Sequence, residues 1–303
     1  MSFSGPLFIA AAAILWGLDG ILRRSVYSLQ PVTIVFYEHL IGALVLLPFV
    51  IYLWRKEHLT RREWWAVVLV SLLSGVLGTL FFTTALVKVG FISFSVVYLL
   101  QKLQPVFTMF FASLVLKEKL TRHYYLWSAL AIVAAYFVTF PGGRVNFGGE
   151  AFMAALFALL AAIAWASSTA FSRYTLIGHS NTFITGLRFV LTTLLIIPFI
   201  YALGVGSYAG SVTLPSQPQL LTLLAITFSS GMVAMWLYYR GLKTTSASVS
   251  TIVELLFPLT AVVIDIFLYK SVLQPSQYLA AAVLLFAVYN VARLNRKVIT
   301  LAK

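Results

Sequence analysis

The sequence contains no cysteine and carries little charge. Without cysteine, the chain can form no disulfide, no thiolate metal site and no cysteine nucleophile. Only 10% of its 303 residues are charged and 61% are hydrophobic. The mean hydropathy is +0.97. A soluble domain is about half apolar, so this composition excludes water as the main solvent of the folded chain.

Motifs for nucleotide hydrolysis and for common enzymes are also missing. There is no G-x-x-x-x-G-K-[ST] phosphate loop and no G-x-S-x-G elbow, and the four histidines never form an H-E-x-x-H pair. The sequence therefore predicts no enzyme activity, no bound metal and no cofactor. Any transport would have to use existing gradients instead of ATP.

Long apolar runs recur along the whole chain. Each is at or near the roughly 20 residues that a helix needs to cross the hydrocarbon core. They predict an all-α, polytopic membrane protein with ten transmembrane helices, at 6–22, 31–54, 64–86, 91–116, 121–140, 149–171, 181–203, 218–240, 247–269 and 275–292.

Basic residues lie at alternate helix ends. The net charge of +13 is therefore not gathered on one face, as a nucleic-acid partner would require. The predicted partners are the lipid bilayer and a small solute. With a cytoplasmic N-terminus, the inner side holds the larger group, so we expect a bacterial inner-membrane protein with both termini in the cytoplasm. The inner group is Arg55, Lys56, Arg61, Arg62, Lys117, Lys119, Arg122, Arg173, Arg240, Lys243, Arg293, Arg296, Lys297 and Lys303, and the outer group is Arg23, Arg24, Lys88, Arg144 and Lys270.

The two halves of the chain match each other when they are offset by about 150 residues. An odd number of helices in each half would insert the second copy upside down, which is typical of secondary transporters with a midplane site. The sequence predicts five-helix repeats at 1–145 and 146–303, joined at the glycine-rich segment 141–149. The matched pairs are Trp16 with Trp165, Glu38 with Arg188, Ser74-Gly75 with Ser230-Gly231, and Pro105 with Pro258.

Three segments carry a resemblance to a known family: ILWGLDGILRR near the N-terminus, LQPVFTMFFASLVLKEKLT with Pro105 and Glu118, and FPLTAVVIDIFLYKSVLQP with Pro258. The chain resembles the EamA-type, ten-helix branch of the drug/metabolite transporter superfamily, and within it the bacterial aromatic amino acid exporters of the YddG type. The resemblance implies export of amino acids or related metabolites through a cavity formed by helices of both halves, with helices 5 and 10 more peripheral. The family often repeats the acid of Glu118 in the second half, where this chain has Ser271.

Ionisable side chains inside apolar runs are the strongest chemical signal, because such groups are costly in lipid and face partners or water. Glu38 is expected to pair with Arg188 or with Lys102, in a structural or gating role or as a substrate ligand. Gln101 and Glu254 occupy equivalent points before the prolines. They are expected either to bind the substrate, with Glu254 alternatively taking up a proton, or to bond neighbouring helices. The remaining candidates are His39 and Asp265, the latter as a solvated vestibule residue.

Aromatic residues are the predicted walls of the substrate site. Trp16 with Trp165 and Phe82 with Tyr238 lie at equivalent points of the halves, and Tyr98 lies one helical turn before Gln101 on the same face. Packing between helices is the alternative. Pro105 and Pro258 each remove a backbone donor and are expected to kink helices 4 and 9.

The sequence thus predicts a secondary transporter or uniporter that exports amino acids, aromatic and other apolar ones first, and related small metabolites by alternating access. A sugar-phosphate or nucleotide-sugar carrier is the alternative within transporters. A membrane-embedded enzyme or a receptor-like binding protein is the alternative from another class.

Overall fold

The computed structural model describes residues 4–88, 94–107, 110–111, 121–140, 149–203, 214–245, 253–254, 256–270 and 272–301. Within these residues the regular secondary structure is helical. The helices are α1 (Ser4–Ser25), α2 (Pro31–Trp54), α3 (Arg61–Val87), α4 (Phe94–Gln101), α5 (Arg122–Thr139), α6 (Glu150–Gly178), α7 (Asn181–Leu195, continued by Ile197–Leu203), α8 (Gln217–Thr244), α9 (Leu256–Phe267) and α10 (Pro275–Leu301).

Six of these helices are long and apolar enough to cross a membrane, namely α1, α2, α3, α6, α7 and α8. Large apolar side chains also remain exposed on the outer surface, as on α2, where Leu44 and Ile51 are more than 60% exposed. Such a surface matches lipid and not water. The helical fold class is confirmed, whereas the count of ten spans and their inverted arrangement stay predictions.

The prolines of helices 4 and 9 lie next to breaks in the helices. The predicted span 91–116 is interrupted after Gln101 by a turn at 102–103, just before Pro105. Helix α9 begins at Leu256, so Pro258 lies in its first turn, where a missing N–H does no harm. The helical break in the predicted span 247–269 therefore lies before Pro258, and the expected kink at Pro258 is not found. Glu118, Ser271 and most of the 141–149 junction lie outside the described residues.

Two helices begin with equivalent caps. Thr60 precedes α3 and exchanges hydrogen bonds with Glu63, whose carboxylate accepts from the Thr60 backbone N–H at 2.7 Å. Ser216 precedes α8 and forms the same capping box with Gln219. Each box satisfies donors that a helix start leaves unpaired. These polar caps fix the points at which the chain enters α3 and α8.

The packing of the helices is symmetric between the predicted halves. Helix α1 packs against α8 and α9, and α6 packs against α3 and α4 in the same way. The pairs α2–α7, α4–α9 and α5–α10 each join equivalent helices. If α1–α5 are exchanged with α6–α10, each contact in this set becomes another contact of the same set. Two equivalent copies would give this pattern.

Helices α3 and α8 widen into π-helical turns at the serine–glycine pairs that the sequence matches. The π-helical segments are Ser71–Gly78 and Thr227–Gly231. A π turn shifts the backbone bonding pattern and is frequent at functional sites. Both segments face the interior cavity described next.

Candidate functional site

A cavity of about 130 Å³ lies between the helices. Its lining residues come from α1, α2, α3, α6, α7 and α8, from the segment around Gln101, and from the turn and start of α9 around Glu254. In the described part of the chain, no lining residue belongs to α5 or α10. The peripheral position expected for these two helices therefore agrees with the structure.

Aromatic rings form much of the cavity wall. Trp16 and Tyr238 contact each other with ring centroids 5.1 Å apart, and Phe82 and Trp165 with centroids 5.4 Å apart. All four are cavity-lining residues that the sequence predicts. The first pair joins α1 to α8 and the second joins α3 to α6, so each pair contains one residue from each predicted half.

Three further lining aromatics were not predicted: Phe189, Tyr239 and Phe257. Phe257 stands directly before Pro258 and packs with its ring centroid 4.4 Å from that of Tyr98. Only its position beside the proline distinguishes it in the sequence from the many other aromatic residues.

Tyr98 lies behind the wall and does not line the cavity. Its side chain is fully buried, and its hydroxyl accepts a hydrogen bond from the Gly20 N–H at 3.0 Å. The ring packs against Phe82 and Phe257. Tyr98 therefore does not line the cavity in this structure, because its side chain is directed towards the backbone of α1.

The π turn of α3 creates a bonding site for Trp165. The indole Nε1–H donates to the Ser74 carbonyl oxygen at 3.2 Å, and the Thr79 hydroxyl donates to the same oxygen. A Cβ added at Gly78 would collide with the Trp165 ring. The missing side chain and the available carbonyl together set the position of this indole.

Gln101 is buried in the wall with neither polar atom of its side chain bonded. The residue is 2% exposed, and both Nε2 and Oε1 lack a hydrogen-bond partner in the described part of the chain. Buried amides are nearly always bonded, because an unmet donor or acceptor costs about 1–3 kcal/mol. The side chain is at the cavity as predicted, with its bonding capacity unused.

Glu254 and Lys102 contact each other across the cavity wall. Their closest charged atoms are 3.9 Å apart, and the Tyr238 hydroxyl donates to Glu254 Oε1 at 3.0 Å. Lys102 also lies 4.8 Å from the centre of the Phe257 ring. The structure thus pairs Lys102 with Glu254, and the predicted pairing of Lys102 with Glu38 is wrong.

Glu38 instead belongs to a buried ionic triad with Asp19 and Arg23. The Arg23 guanidinium contacts Glu38 Oε2 at 2.7 Å and also contacts the Asp19 carboxylate, and each residue is under 5% exposed. The Ser230 hydroxyl donates to Asp19. Arg23 was predicted at the outer membrane surface, whereas α1 continues to Ser25 and holds it inside. Asp19 was not predicted as a site residue.

Arg188 is a buried cation that contacts no carboxylate among the described residues. Its guanidinium donates to the Ser74 hydroxyl at 2.9 Å and to the Tyr239 hydroxyl at 3.3 Å, while Nε has no partner. The predicted pairing of Arg188 with Glu38 is wrong. Each of these two residues instead bonds to the π turn of the other predicted half. Arg188 donates to the Ser74 hydroxyl, and the Glu38 carbonyl oxygen accepts from the Thr227 hydroxyl.

His39 and Asp265 complete the predicted ionisable residues. His39 lines the cavity, with Nδ1 2.9 Å from the Val35 carbonyl oxygen and its ring stacked on Phe189. Asp265 is only 2% exposed. It is therefore buried and is not the solvated vestibule residue that was expected. No group of three metal-binding side chains occurs among the described residues.

A second polar cluster lies in the connections at one end of the bundle. The Glu57 carboxylate contacts His179 Nδ1 at 2.6 Å and accepts from the Ser180 N–H at 2.9 Å. Lys243 donates to the His179 carbonyl oxygen. Partial burial raises the pKa of Glu57, but the hydrogen bonds from Ser180 and His179 outweigh it and leave the pKa below its usual 4.5. The cluster ties the α2–α3 connection to the α6–α7 connection.

Comparison with known proteins identifies the family. The model of the EamA-like transporter family matches residues 3–140 and 152–293. The two matched segments lie on either side of the predicted boundary at residue 145. Homologues of this family are transporters, so the protein is a multi-pass membrane transporter of a small molecule and not an enzyme.

Three relatives and one solved structure illustrate the similarity. The riboflavin transporter ImpX of Fusobacterium nucleatum is 34% identical over 301 residues, covering 96% of this chain and 98% of that protein. The uncharacterized transporter YwfM of Bacillus subtilis is 24% identical, covering 96% and 94%. Protein LicB of Haemophilus influenzae is 22% identical, covering 89% and 91%. A chain of known crystal structure shares the fold, with a TM-score of 0.64 and 15% identity over 97% of this chain and 98% of that one.

These relatives support the predicted family and a small-metabolite substrate. Export of amino acids, which the sequence resemblance implies, is not confirmed by them.

Proposed function

The chain belongs to the EamA-like transporter family, and on that basis we propose that it carries riboflavin, or a closely related planar heteroaromatic metabolite, across a membrane. The observation that carries the proposal is the pair of aromatic contacts in the cavity wall, Trp16 with Tyr238 and Phe82 with Trp165. A flat ring system can stack on such faces, and stacking of a base on an aromatic side chain contributes about 1–3 kcal/mol.

The similarity to ImpX supports the same substrate class. That relative is a riboflavin transporter, and it matches this chain over nearly the full length of both proteins. The cavity also offers hydroxyl groups beside the rings, from Ser74, Ser168 and Ser172. A polyhydroxylated side chain such as that of riboflavin finds donors and acceptors there.

Transport would proceed by alternating access between two inverted halves, with the aromatic cavity as the central site. The protein would act as a uniporter or a gradient-driven carrier, so that the net direction follows the gradient that drives it. The π turns place Ser74 and Ser230, the equivalent residues of the two halves, at the same cavity.

An aromatic amino acid is the second candidate substrate. Arg188 has no carboxylate partner in the described part of the chain, and Glu254 supplies a negative charge elsewhere in the wall. These opposite charges suit the carboxylate and ammonium groups of a zwitterion. A sugar phosphate would find Arg188 as its cationic partner, because Arg23 and Lys102 already contact carboxylates.

Uptake into liposomes containing the purified protein tests the proposal. We expect saturable uptake of labelled riboflavin that unlabelled riboflavin inhibits, and no such uptake in protein-free liposomes. Trp16→Ala should weaken the apparent affinity about tenfold through lost stacking. The matched control is Trp65→Ala, since Trp65 is 61% exposed and outside the cavity. Uptake of tryptophan or phenylalanine without riboflavin uptake would favour the second candidate, and no flux of any of them would refute both.

A further inference from the structure

The unbonded amide of Gln101 is the feature of the cavity that most needs a ligand. Both its Nε2 and its Oε1 are buried without a partner, although the side chain lines the cavity. A buried carboxamide loses its bonds to water on folding, and it regains that loss only when another group bonds to it. A substrate that enters this cavity can supply the missing hydrogen bonds.

The neighbours of Gln101 have already used their own polar groups. Lys102 contacts Glu254, which also accepts from Tyr238. Tyr98, one turn earlier, bonds the backbone N–H of Gly20. Among these neighbours, Gln101 is thus the residue whose side-chain donor and acceptor are both unused.

The chemistry of a carboxamide indicates which ligand group fits. Its N–H and its C=O lie side by side in one plane, so it offers one donor and one acceptor pointing in the same direction. A carboxylate would use only the donor, and an ammonium group only the acceptor. A ring N–H next to a ring carbonyl uses both, through two parallel hydrogen bonds like those that glutamine forms with the edge of adenine.

From this geometry we infer that Gln101 recognises the imide edge of a planar heterocyclic substrate, the N–H flanked by two carbonyl groups. Riboflavin carries such an edge on its isoalloxazine ring, so the inference rests on the proposed function and deepens it. Arg188 Nε, the other unpaired donor in the cavity, is available for a further acceptor oxygen of the ligand.

The test compares riboflavin with 3-methylriboflavin, in which a methyl group replaces the imide hydrogen. Binding is measured by quenching of tryptophan fluorescence in the detergent-purified protein, and liposome uptake is measured in parallel. The wild type should bind riboflavin about tenfold more tightly than the methylated compound, because one bidentate contact is lost. Gln101→Leu should bind both compounds equally, at the weaker level.

The matched control is Gln30→Leu. Gln30 is exposed at the start of α2, where its side chain forms no capping bond, so this variant should discriminate as the wild type does. If Gln101→Leu does not fold, Gln101→Glu keeps the size of the side chain and an acceptor but removes the donor. It should lose most of the affinity for riboflavin.

The outcomes separate the two proposals. Riboflavin binding and uptake without discrimination in the wild type, or discrimination that persists in Gln101→Leu, would overturn the role of Gln101 and leave the transport function standing. A wild-type protein that neither binds nor carries riboflavin would overturn both.

Discussion

Arg23 places a positive charge inside the helix bundle, in the last turn of α1. Two carboxylates contact its guanidinium, and the Thr83 hydroxyl accepts a further hydrogen bond at 3.0 Å. The triad joins α1 to α2, Thr83 extends it to α3, and Ser230 extends it to α8. Removing the cation would leave two buried carboxylates facing each other without a counterion.

We therefore expect Arg23→Leu to destabilise the protein by about 3–5 kcal/mol, the usual cost of breaking a buried ion pair from one side. Thermal unfolding in detergent measures the change. Arg24→Leu is the matched control, because Arg24 lies over the Tyr269 ring and is only partly buried. It should cost less than about 1 kcal/mol. Equal losses in the two variants would contradict the structural role of the triad.

At the scale of the helices, close approach depends on glycine. Gly241 of α8 packs on α1, and a Cβ added there would lie 2.7 Å from the Gly5 carbonyl oxygen and 2.7 Å from Ile9 Cγ1. Backbone atoms cannot move aside as the end of a flexible side chain can. The α1–α8 contact thus requires a residue without a side chain at this position.

Gly241→Ala should destabilise the protein by about 1–3 kcal/mol, as overpacked cores do. Gly178→Ala is the control. A Cβ at Gly178 would lie 3.7 Å from the nearest atom, Glu63 Oε1, which is ordinary contact. The unfolding temperatures of the two variants decide the matter, and an unchanged value for Gly241→Ala would mean that α1 and α8 do not pack this closely.

Glu57 links the α2–α3 connection to the α6–α7 connection. Its lowered pKa predicts that the stability of the protein falls at acid pH. A carboxyl group with a lower pKa in the folded state stabilises the protein above the unfolded value of 4.5. That stabilisation is lost as the pH falls through the lower folded value. Wild type should therefore exceed Glu57→Gln in stability at pH 7, by about 1 kcal/mol per lost hydrogen bond.

Unfolding temperatures measured between pH 7 and pH 3 test this dependence. The difference between wild type and Glu57→Gln should shrink at the acid end of the range. Glu150→Gln, which removes a half-exposed carboxylate that contacts Lys88, is the matched change outside the cluster. A gap for Glu57→Gln that is constant with pH would show that the carboxylate charge is not what ties the two connections.

For the whole molecule, the absence of native cysteine makes the topology directly testable. Tyr27 lies in the α1–α2 connection and is 68% exposed, and Gly178 lies at the end of α6, beside the equivalent α6–α7 connection. Inverted halves would place these two positions on opposite faces of the membrane.

A membrane-impermeant thiol reagent should label Tyr27→Cys in intact cells. It should label Gly178→Cys and His58→Cys only after permeabilisation, because both lie on the side predicted to be cytoplasmic. The unmodified protein gives the background. Labelling of Tyr27→Cys and Gly178→Cys from the same side would refute the inverted arrangement.

Much of the fold was readable from the sequence, because hydrophobic length alone limits where helices can lie. The span 31–54 agrees with α2 to the residue. The comparison of halves also selected Trp16, Phe82, Trp165, Gln101 and Tyr238, all of which line the cavity in the structure. Periodicity could not place Tyr98, whose direction depends on how α4 is rotated against α1.

The sequence by itself therefore determined the helical fold class through local composition, and most of the cavity wall through the match between the halves. The family came from the resemblance of three sequence segments. Only the tertiary structure decided which charges meet. Glu38 contacts Arg23 instead of Arg188, and Lys102 contacts Glu254. An ion pair needs two groups within about 4 Å, and that distance depends on helix neighbours, rotations and the π turns of α3 and α8, none of which a single sequence encodes in its spacing.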